Sequence, residues 1–226
     1  ELLVAWRHWQ KQKSPNSCVG LEAFGRCLAE VASTARTAHE VVGLDSQSAL
    51  AAALKPFDRL QGPPRGASVT LHGTSPAEVA AELAGAKEFR SRLEAAVGTE
   101  SAATLLREET IEALAGKLVL NAASFAVPFR EGSPPLRAAG VFVLLSTMNH
   151  SCAPSVRLET SEDTGSEVSM LTTRDLEAGE PLTLAYVEPD WPGNERRHQL
   201  SSHWFFDCDC PRCEAEGRIE EALCAG

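Results

Sequence analysis

Residues 204–213 read Trp204-Phe205-Phe206-Asp207-Cys208-Asp209-Cys210-Pro211-Arg212-Cys213, a CxCxxC array behind a run of aromatic residues. Thiols at this spacing read as metal ligands. Structural zinc sites are tetrahedral, so three thiolates leave one position to be filled from elsewhere in the chain. The best source is Cys152, in the polar turn Asn149-His150-Ser151-Cys152-Ala153-Pro154, with Cys18, Cys27 and Cys224 as spares. A metal held by Cys152, Cys208, Cys210 and Cys213 would pin the tail, residues 207–226, to that turn. Its binding energy would become folding energy for a tail with little core of its own. The chain has seven cysteines, an odd number, and its start ELLVAWRHWQKQK does not read as a secretory signal. Both favour reduced thiols over a disulfide framework. A dithiol redox role for Cys210 and Cys213 is disfavoured. No βαβ pattern precedes them, and Asp207, Asp209 and Glu214 are expected to raise thiol pKa values.

Between the turn and the array lie three short alternating segments, 155–159, 167–172 and 181–186. Turn chemistry at Asp163-Thr164-Gly165 and Glu177-Ala178-Gly179 separates them, which predicts a small β-region. Tyr186, the one tyrosine of the chain, closes the third segment. Residues 194–204 read as a short helix leading into the cysteines. Ahead of the turn, the apolar run Val141-Phe142-Val143-Leu144-Leu145 fits strand or helix equally on pattern alone.

Further upstream, residues 1 to about 120 read as helices. Leu2, Leu3, Trp6 and Trp9 share one helical face. A second periodic stretch runs from Leu21 towards Val42, with Ser and Thr residues predicting a break in its middle. Ser75-Pro76-Ala77-Glu78 is a helix start, with a capping serine, a proline suited to the first turn and a reciprocal glutamate. Residues 104–120 form another helical stretch, with Leu106, Glu109, Ala113 and Leu114 near helical spacing. Gly62-Pro63-Pro64-Arg65-Gly66 is a breaker loop between helical blocks. The expected fold class is therefore α+β. A helical region spans 1–117, a small β-region 118–206, and a metal-stapled tail 207–226.

The formal charge is −10, which disfavours nucleic acid as the main ligand, since that binding needs a basic face. Between Arg157 and Asp190, nine carboxylates stand against two arginines. Such a surface suits a basic partner, and it also serves plain solubility. No uninterrupted apolar run reaches the length of a membrane span.

Taken singly, these residues have ordinary explanations. A lone histidine is most often a satisfied structural group, and a strand-end tyrosine is most often a core residue with its hydroxyl at the rim. In order, however, Asn149-His150-Ser151-Cys152-Ala153-Pro154, the strand Ala178-Gly179-Glu180-Pro181-Leu182-Thr183-Leu184-Ala185-Tyr186, a helix with Arg196 and Arg197, and the 204–213 array resemble the C-terminal half of SET domains. The resemblance covers about residues 118–216 and is nearest to the SMYD-type branch of protein lysine methyltransferases. It implies a β-region with a pseudoknot through which S-adenosylmethionine passes. Asn149 and His150 match the turn that holds this cofactor, Phe206 the aromatic that stacks on its adenine, and Trp204 another aromatic lining the site. Asn121, with Phe125, resembles the family's Asn-x-Phe element, here spelled Asn-Ala-Ala-Ser-Phe. Tyr186 matches the catalytic tyrosine at the mouth of the lysine channel, and the four cysteines match the structural post-SET zinc site.

The implied activity is transfer of a methyl group from S-adenosylmethionine to a lysine of a histone or other basic protein. That activity belongs to a chromatin regulator of the nucleus and/or cytoplasm, with no direct nucleic-acid or membrane binding. Three departures qualify the match. No Gly-x-Gly precedes a strand in residues 1–120, and a MYND zinc cluster is missing. The helical region then corresponds to the insert between the two SET halves, and the chain is expected to be a fragment or a degenerate member. Ala153 and Ser155 also flank Pro154 where the family often has Pro-Asn. The alternative function is a catalytically inactive, zinc-containing SET-derived module that docks other proteins.

Overall fold

The computed structural model describes residues 2, 4–6, 19–67, 69–71, 74–127, 136–142, 144–160 and 167–224. The chain divides into two compact units, one of Glu1–Ala123 with Ala139–Val141, the other of Ser124–Ala138 with Phe142–Gly226.

The first unit is helical. Helix α1 (Val19–Glu40) buries Phe24, Cys27, Leu28, Val31, Ala32 and Ala35, a stripe at i, i+3, i+4 and i+7 spacing. It runs unbroken through the Ser/Thr-containing segment where a break was expected. Thr37 Oγ1 donates to Ser33 O at 3.0 Å, so its hydroxyl is satisfied on the helix itself. Helix α2 (Ser46–Leu54) starts at Asp45, whose carboxylate accepts from Gln47 N at 3.1 Å and Ser48 N at 3.0 Å. Helix α3 (Pro76–Gly85) begins where the sequence places it. Glu78 N donates to Ser75 Oγ at 3.2 Å and Ser75 N to Glu78 Oε2 at 2.8 Å, a complete capping box.

Helices α4 (Lys87–Val97), α5 (Thr99–Leu105) and α6 (Glu108–Asn121) follow. The expected 104–120 helix is therefore two elements, parted at Leu106 and Arg107. The buried face of α6 is Ile111, Leu114, Ala115 and Leu118, while Glu109 and Ala113 face water. The breaker loop leads back onto this helix: a Cβ on Gly116 would stand 2.5 Å from Pro63 Cδ, so the bare glycine lets the proline in.

Trp6 sits at the centre of the helical core, with ring centroids 6.0 Å from Phe24 and 5.7 Å from Phe89. Of the face expected around it, Leu2 packs against the same core, and Leu3 and Trp9 lie outside the described residues. Gly25 makes this arrangement workable, since a Cβ there would stand 2.1 Å from Trp6 Nε1. At an exposed helical site Gly→Ala stabilises by up to about 1 kcal/mol. Here the sign reverses. Gly25→Ala is expected to destabilise the helical unit by about 1–3 kcal/mol through overpacking, read as a lowered midpoint in thermal or urea denaturation. An unchanged or raised midpoint would sink this account of the core.

The second unit contains the strands from Asn149 to Leu184 and the four clustered cysteines. Strands β1 (Ala122–Val127) and β2 (Leu136–Val141) pair as a ribbon divided between the two units. The ambiguous run at 141–145 is divided between two elements. It leaves β2 at Val141 and enters a 3-10 turn at Leu145–Thr147, Val143 lying outside the described residues. Strand β3 (Asn149–His150) pairs in parallel with β6 (Thr183–Leu184), Asn149 opposite Thr183 and His150 opposite Leu184. Strands β4 (Val156–Thr160) and β5 (Val168–Thr172) form an antiparallel ladder from Val156↔Thr172 to Thr160↔Val168. The turn expected at Asp163-Thr164-Gly165 lies outside the described residues. The turn expected at Glu177-Ala178-Gly179 is present, with Gly179 at φ +89°, where glycine carries no Cβ penalty.

Helix α7 (Gly193–Gln199) runs on into a π-helical turn, Leu200–Trp204. The tail contains helix α8 (Pro211–Cys224), with proline at its start. Helices followed by short strands make the α+β class expected. Among the described residues, no helix is long and apolar enough to cross a membrane.

Candidate active site and metal centre

The polar turn after Met148 is stitched to β6 and to the end of β5. Ser151 N donates to Leu184 O at 3.0 Å, extending the parallel pairing by one bond. Ser155, which is buried, then clasps Thr183 in both directions. Its N–H donates to Thr183 Oγ1 at 3.1 Å, and Thr183 N donates to Ser155 Oγ at 2.9 Å. On the other side, Thr173 N donates to Ser155 O at 2.9 Å and Thr173 Oγ1 to Pro154 O at 2.8 Å. Residues 149–155 therefore have a backbone path set by partners many residues away.

That path carries Cys152 to the tail. The sulfurs of Cys152, Cys208, Cys210 and Cys213 all lie within 4.8 Å of one another, with Cys152 4.0 Å from Cys208 and 3.5 Å from Cys213. A tetrahedral zinc with Zn–S bonds of about 2.3 Å has S···S edges of roughly 3.8 Å, so this donor set fits the ion. Of the spare cysteines, Cys27 belongs to the helical core. Burial first, then the charge of Glu30, pushes its thiol up to about 12. Cys18 lies outside the described residues, and Cys224 ends α8. Within the cluster the thiols are shifted for reasons other than the acidic neighbours expected to act. Burial and then the thiol of Cys152 push Cys213 up to about 11. Burial also opposes the Cys210 thiolate, but hydrogen bonds from the backbones of Cys213 and Cys152 and from the Cys208 and Cys213 side chains bring it down to about 6.

Two arginines and a glutamate brace the cluster. Arg212 Nη1 donates to Cys152 O at 3.1 Å and to Pro189 O at 2.8 Å, while its Nε donates to Glu216 Oε1 at 2.9 Å. Glu216 Oε2 accepts from Arg196 Nη2 at 2.6 Å, and Arg196 Nη1 donates to Trp191 O. Arg196 is only 1% exposed. Burial works against its charge, but hydrogen bonds to Cys152 and Glu216 outweigh that and keep its pKa above the ordinary value. Burial likewise opposes the Glu216 carboxylate, and hydrogen bonds to Arg212 and Arg196 hold it below the usual range. Of these, only Arg196 entered the sequence reading, as one of a helix pair. Arg212 and Glu216 at i, i+4 were the available signal.

Beside the cysteines, four aromatic rings gather. His150 lies 5.3 Å from Tyr186 and 6.0 Å from Phe206 between ring centroids. Tyr186 lies 5.5 Å from Trp204 and 6.4 Å from Phe206, edge-on to the latter at 88°. The π-helical turn and Phe205, at φ +61°, redirect the chain between Trp204 and Phe206. A left-handed phenylalanine is rare, and strain of this kind concentrates at functional sites.

Two bonds fix the tyrosine. Its OH donates to Met148 O at 2.5 Å, and its backbone N–H donates to His150 Nδ1 at 3.0 Å. Burial raises the Tyr186 pKa, so the phenol stays neutral. Burial also carries His150 down to about 4; the Leu184 carbonyl opposes this and the Arg196 charge assists it. Asn149 is exposed at the start of β3. Asn121 belongs to the helical unit, where its Nδ2 donates to Gln61 O at 2.8 Å and Lys117 O at 2.7 Å.

A four-thiol cluster that could hold a metal ion, beside an aromatic site and a clasped parallel strand pair, defines the class as an α+β domain with a cysteine-clustered C-terminal region. The sequence model of the SET domain matches residues 54–187, more than half of the chain and including helices α3–α6 as well as strands β1–β6. This chain belongs to the SET domain family. It is similar to histone-lysine N-methyltransferase SET5 of Meyerozyma guilliermondii, with 38% identity over 80 residues, 34% of this chain and 16% of the relative. Histone-lysine N-methyltransferase SMYD3 of Mus musculus is 33% identical over 84 residues, 37% of this chain and 19% of the relative. A SET and MYND domain-containing protein of Dictyostelium discoideum is 35% identical over 88 residues, 38% of this chain and 17% of the relative. The chain thus spans less than a fifth of the length of each of these relatives.

Proposed function

We propose that the protein is a lysine N-methyltransferase, acting on a histone or other basic protein in the nucleus and/or cytoplasm. The observation that carries this reading is Tyr186. It is held as a neutral phenol on Met148 O, among His150, Trp204 and Phe206, two residues past the strand that pairs with Asn149–His150. Relatives named histone-lysine N-methyltransferases, similar over about a third of the chain, support it.

Bound S-adenosylmethionine would supply an electrophilic methyl group. Half-buried rings and an exposed amide suit an adenine and a polar tail, so Phe206, Trp204, His150 and Asn149 are the residues that would hold it, with Asn121 assigned by resemblance alone. Methyl transfer is an in-line displacement and needs alignment in a dry channel more than acid or base. Because the Tyr186 hydroxyl spends its proton on Met148 O, its oxygen lone pairs remain to orient an incoming amine. Apolar ring faces disfavour an ammonium ion, so the lysine is drawn towards its reactive neutral form. Nine carboxylates between Arg157 and Asp190 suit the approach of a basic chain. A structural zinc held by Cys152, Cys208, Cys210 and Cys213 would keep Phe206 and Trp204 beside Tyr186.

The test is transfer of labelled methyl from S-adenosylmethionine to a panel of histones and other basic proteins. Label recovered on lysine is the expected result. No label on any basic protein, from cofactor-saturated and zinc-replete protein, would favour the inactive docking module instead.

A further inference from the structure

We infer that His150 is a positioning residue that ties the four-cysteine cluster to Tyr186 through its two ring nitrogens, Nε2–H donating to the Cys152 sulfur and Nδ1 accepting from the Tyr186 amide. The inference rests on reading the four thiols as a zinc site.

A backbone amide can only donate, so the Nδ1 that lies 3.0 Å from Tyr186 N is the unprotonated nitrogen of the ring. The proton of the neutral imidazole then sits on Nε2, and Nε2 lies 3.3 Å from Cys152 Sγ. The ring has little freedom to abandon this pose. It packs on Tyr186 and Phe206, and the parallel pairing sets its backbone opposite Leu184, two residues before Tyr186. Both contacts are therefore made by one rigid group in one tautomer.

The consequence runs in both directions. An N–H bond to a metal-bound thiolate aligns the sulfur and takes up part of its charge, and partners of this kind are typically worth about 10–100-fold in metal affinity. In return, a metal that fixes Cys152 fixes the ring, and the ring fixes the backbone amide of Tyr186. The zinc cluster would thus set the register of the tyrosine as well as anchoring the tail.

Two substitutions separate the two bonds. His150→Asn places an amide oxygen near the position of Nδ1 and has nothing at Nε2. His150→Gln places an amide nitrogen near Nε2 and has nothing at Nδ1. The whole zinc-loaded chain is titrated with a chromophoric chelator, and hydrogen exchange of the Tyr186 amide is followed by NMR. His150→Asn is expected to weaken zinc about 10–100-fold with the Tyr186 amide still protected. His150→Gln is expected to keep zinc near the parent affinity and to lose that protection. Equal loss of both properties in the two variants, or no loss in either, overturns the inference and leaves the zinc site standing. A parent chain that takes up no zinc overturns both.

Discussion

Cys210→Ser is expected to reduce bound zinc from one ion per chain to a small fraction of that, and to free helix α8. Structural zinc binding in small metal domains is worth about 10–16 kcal/mol, and most of that would be forfeited with one thiolate gone. Cys210 sits in the segment between Phe206 and α8, is itself buried, and shares its cluster with the one cysteine that comes from the polar turn. Among the described residues, the polar side-chain ties between α8 and the rest of its unit are the Arg212 bonds to Cys152 O and Pro189 O and the Arg196–Glu216 pair. These do not replace the metal, since the desolvation cost of burying Arg196 offsets much of what its pair with Glu216 gains. Hydrogen exchange should therefore quicken across residues 211–224 while the helical unit keeps its protection. A strong chelator added to the parent protein should give the same pattern. A variant that keeps α8 protected without metal would remove the zinc site from the account of this fold.

How much of this was readable beforehand follows from the range of each interaction. The start of α3 depends on Ser75, Pro76 and Glu78 alone, and the structure forms that capping box. The spacing of Cys208, Cys210 and Cys213, with Cys152 in a constrained turn, left few ways to gather four thiols, and the sulfurs do converge. The apolar stripe of α6 was misplaced because Leu106 looks like the start of its face, whereas the chain turns at Leu106–Arg107 and the register restarts. The break expected within α1 failed because the Thr37 hydroxyl folds back onto Ser33 O, an outcome that composition cannot separate from a break.

The clasp of Ser155 on Thr183 and the Arg196–Glu216 pair join residues that no local pattern links. The expected rise in thiol pKa holds for Cys208 and Cys213 and fails for Cys210, and its cause was missed for the same reason. Thiol acidity was read from neighbours in sequence, and it is set by burial, by backbone hydrogen bonds and by the other sulfurs.

Tyr186→Phe is expected to lower turnover by about 10²–10³-fold, the usual cost of deleting one preorganised hydroxyl from a reacting centre. The substitution is conservative in the right respects. The ring stays, and with it the packing on His150 at 5.3 Å, Trp204 at 5.5 Å and Phe206 at 6.4 Å. The backbone bond to His150 Nδ1 stays as well, because it uses the amide and not the side chain. Only the bond from the hydroxyl to Met148 O is lost, a stability cost of about 1 kcal/mol. Folding, zinc content and affinity for S-adenosylmethionine should therefore match the parent, while methyl transfer to lysine collapses. That split between kcat and cofactor binding separates a residue that orients the amine from one that merely fills the core. A phenylalanine variant with the turnover of the parent would take Tyr186 out of the chemistry. One that lost cofactor affinity in step with turnover would make it part of the binding wall instead.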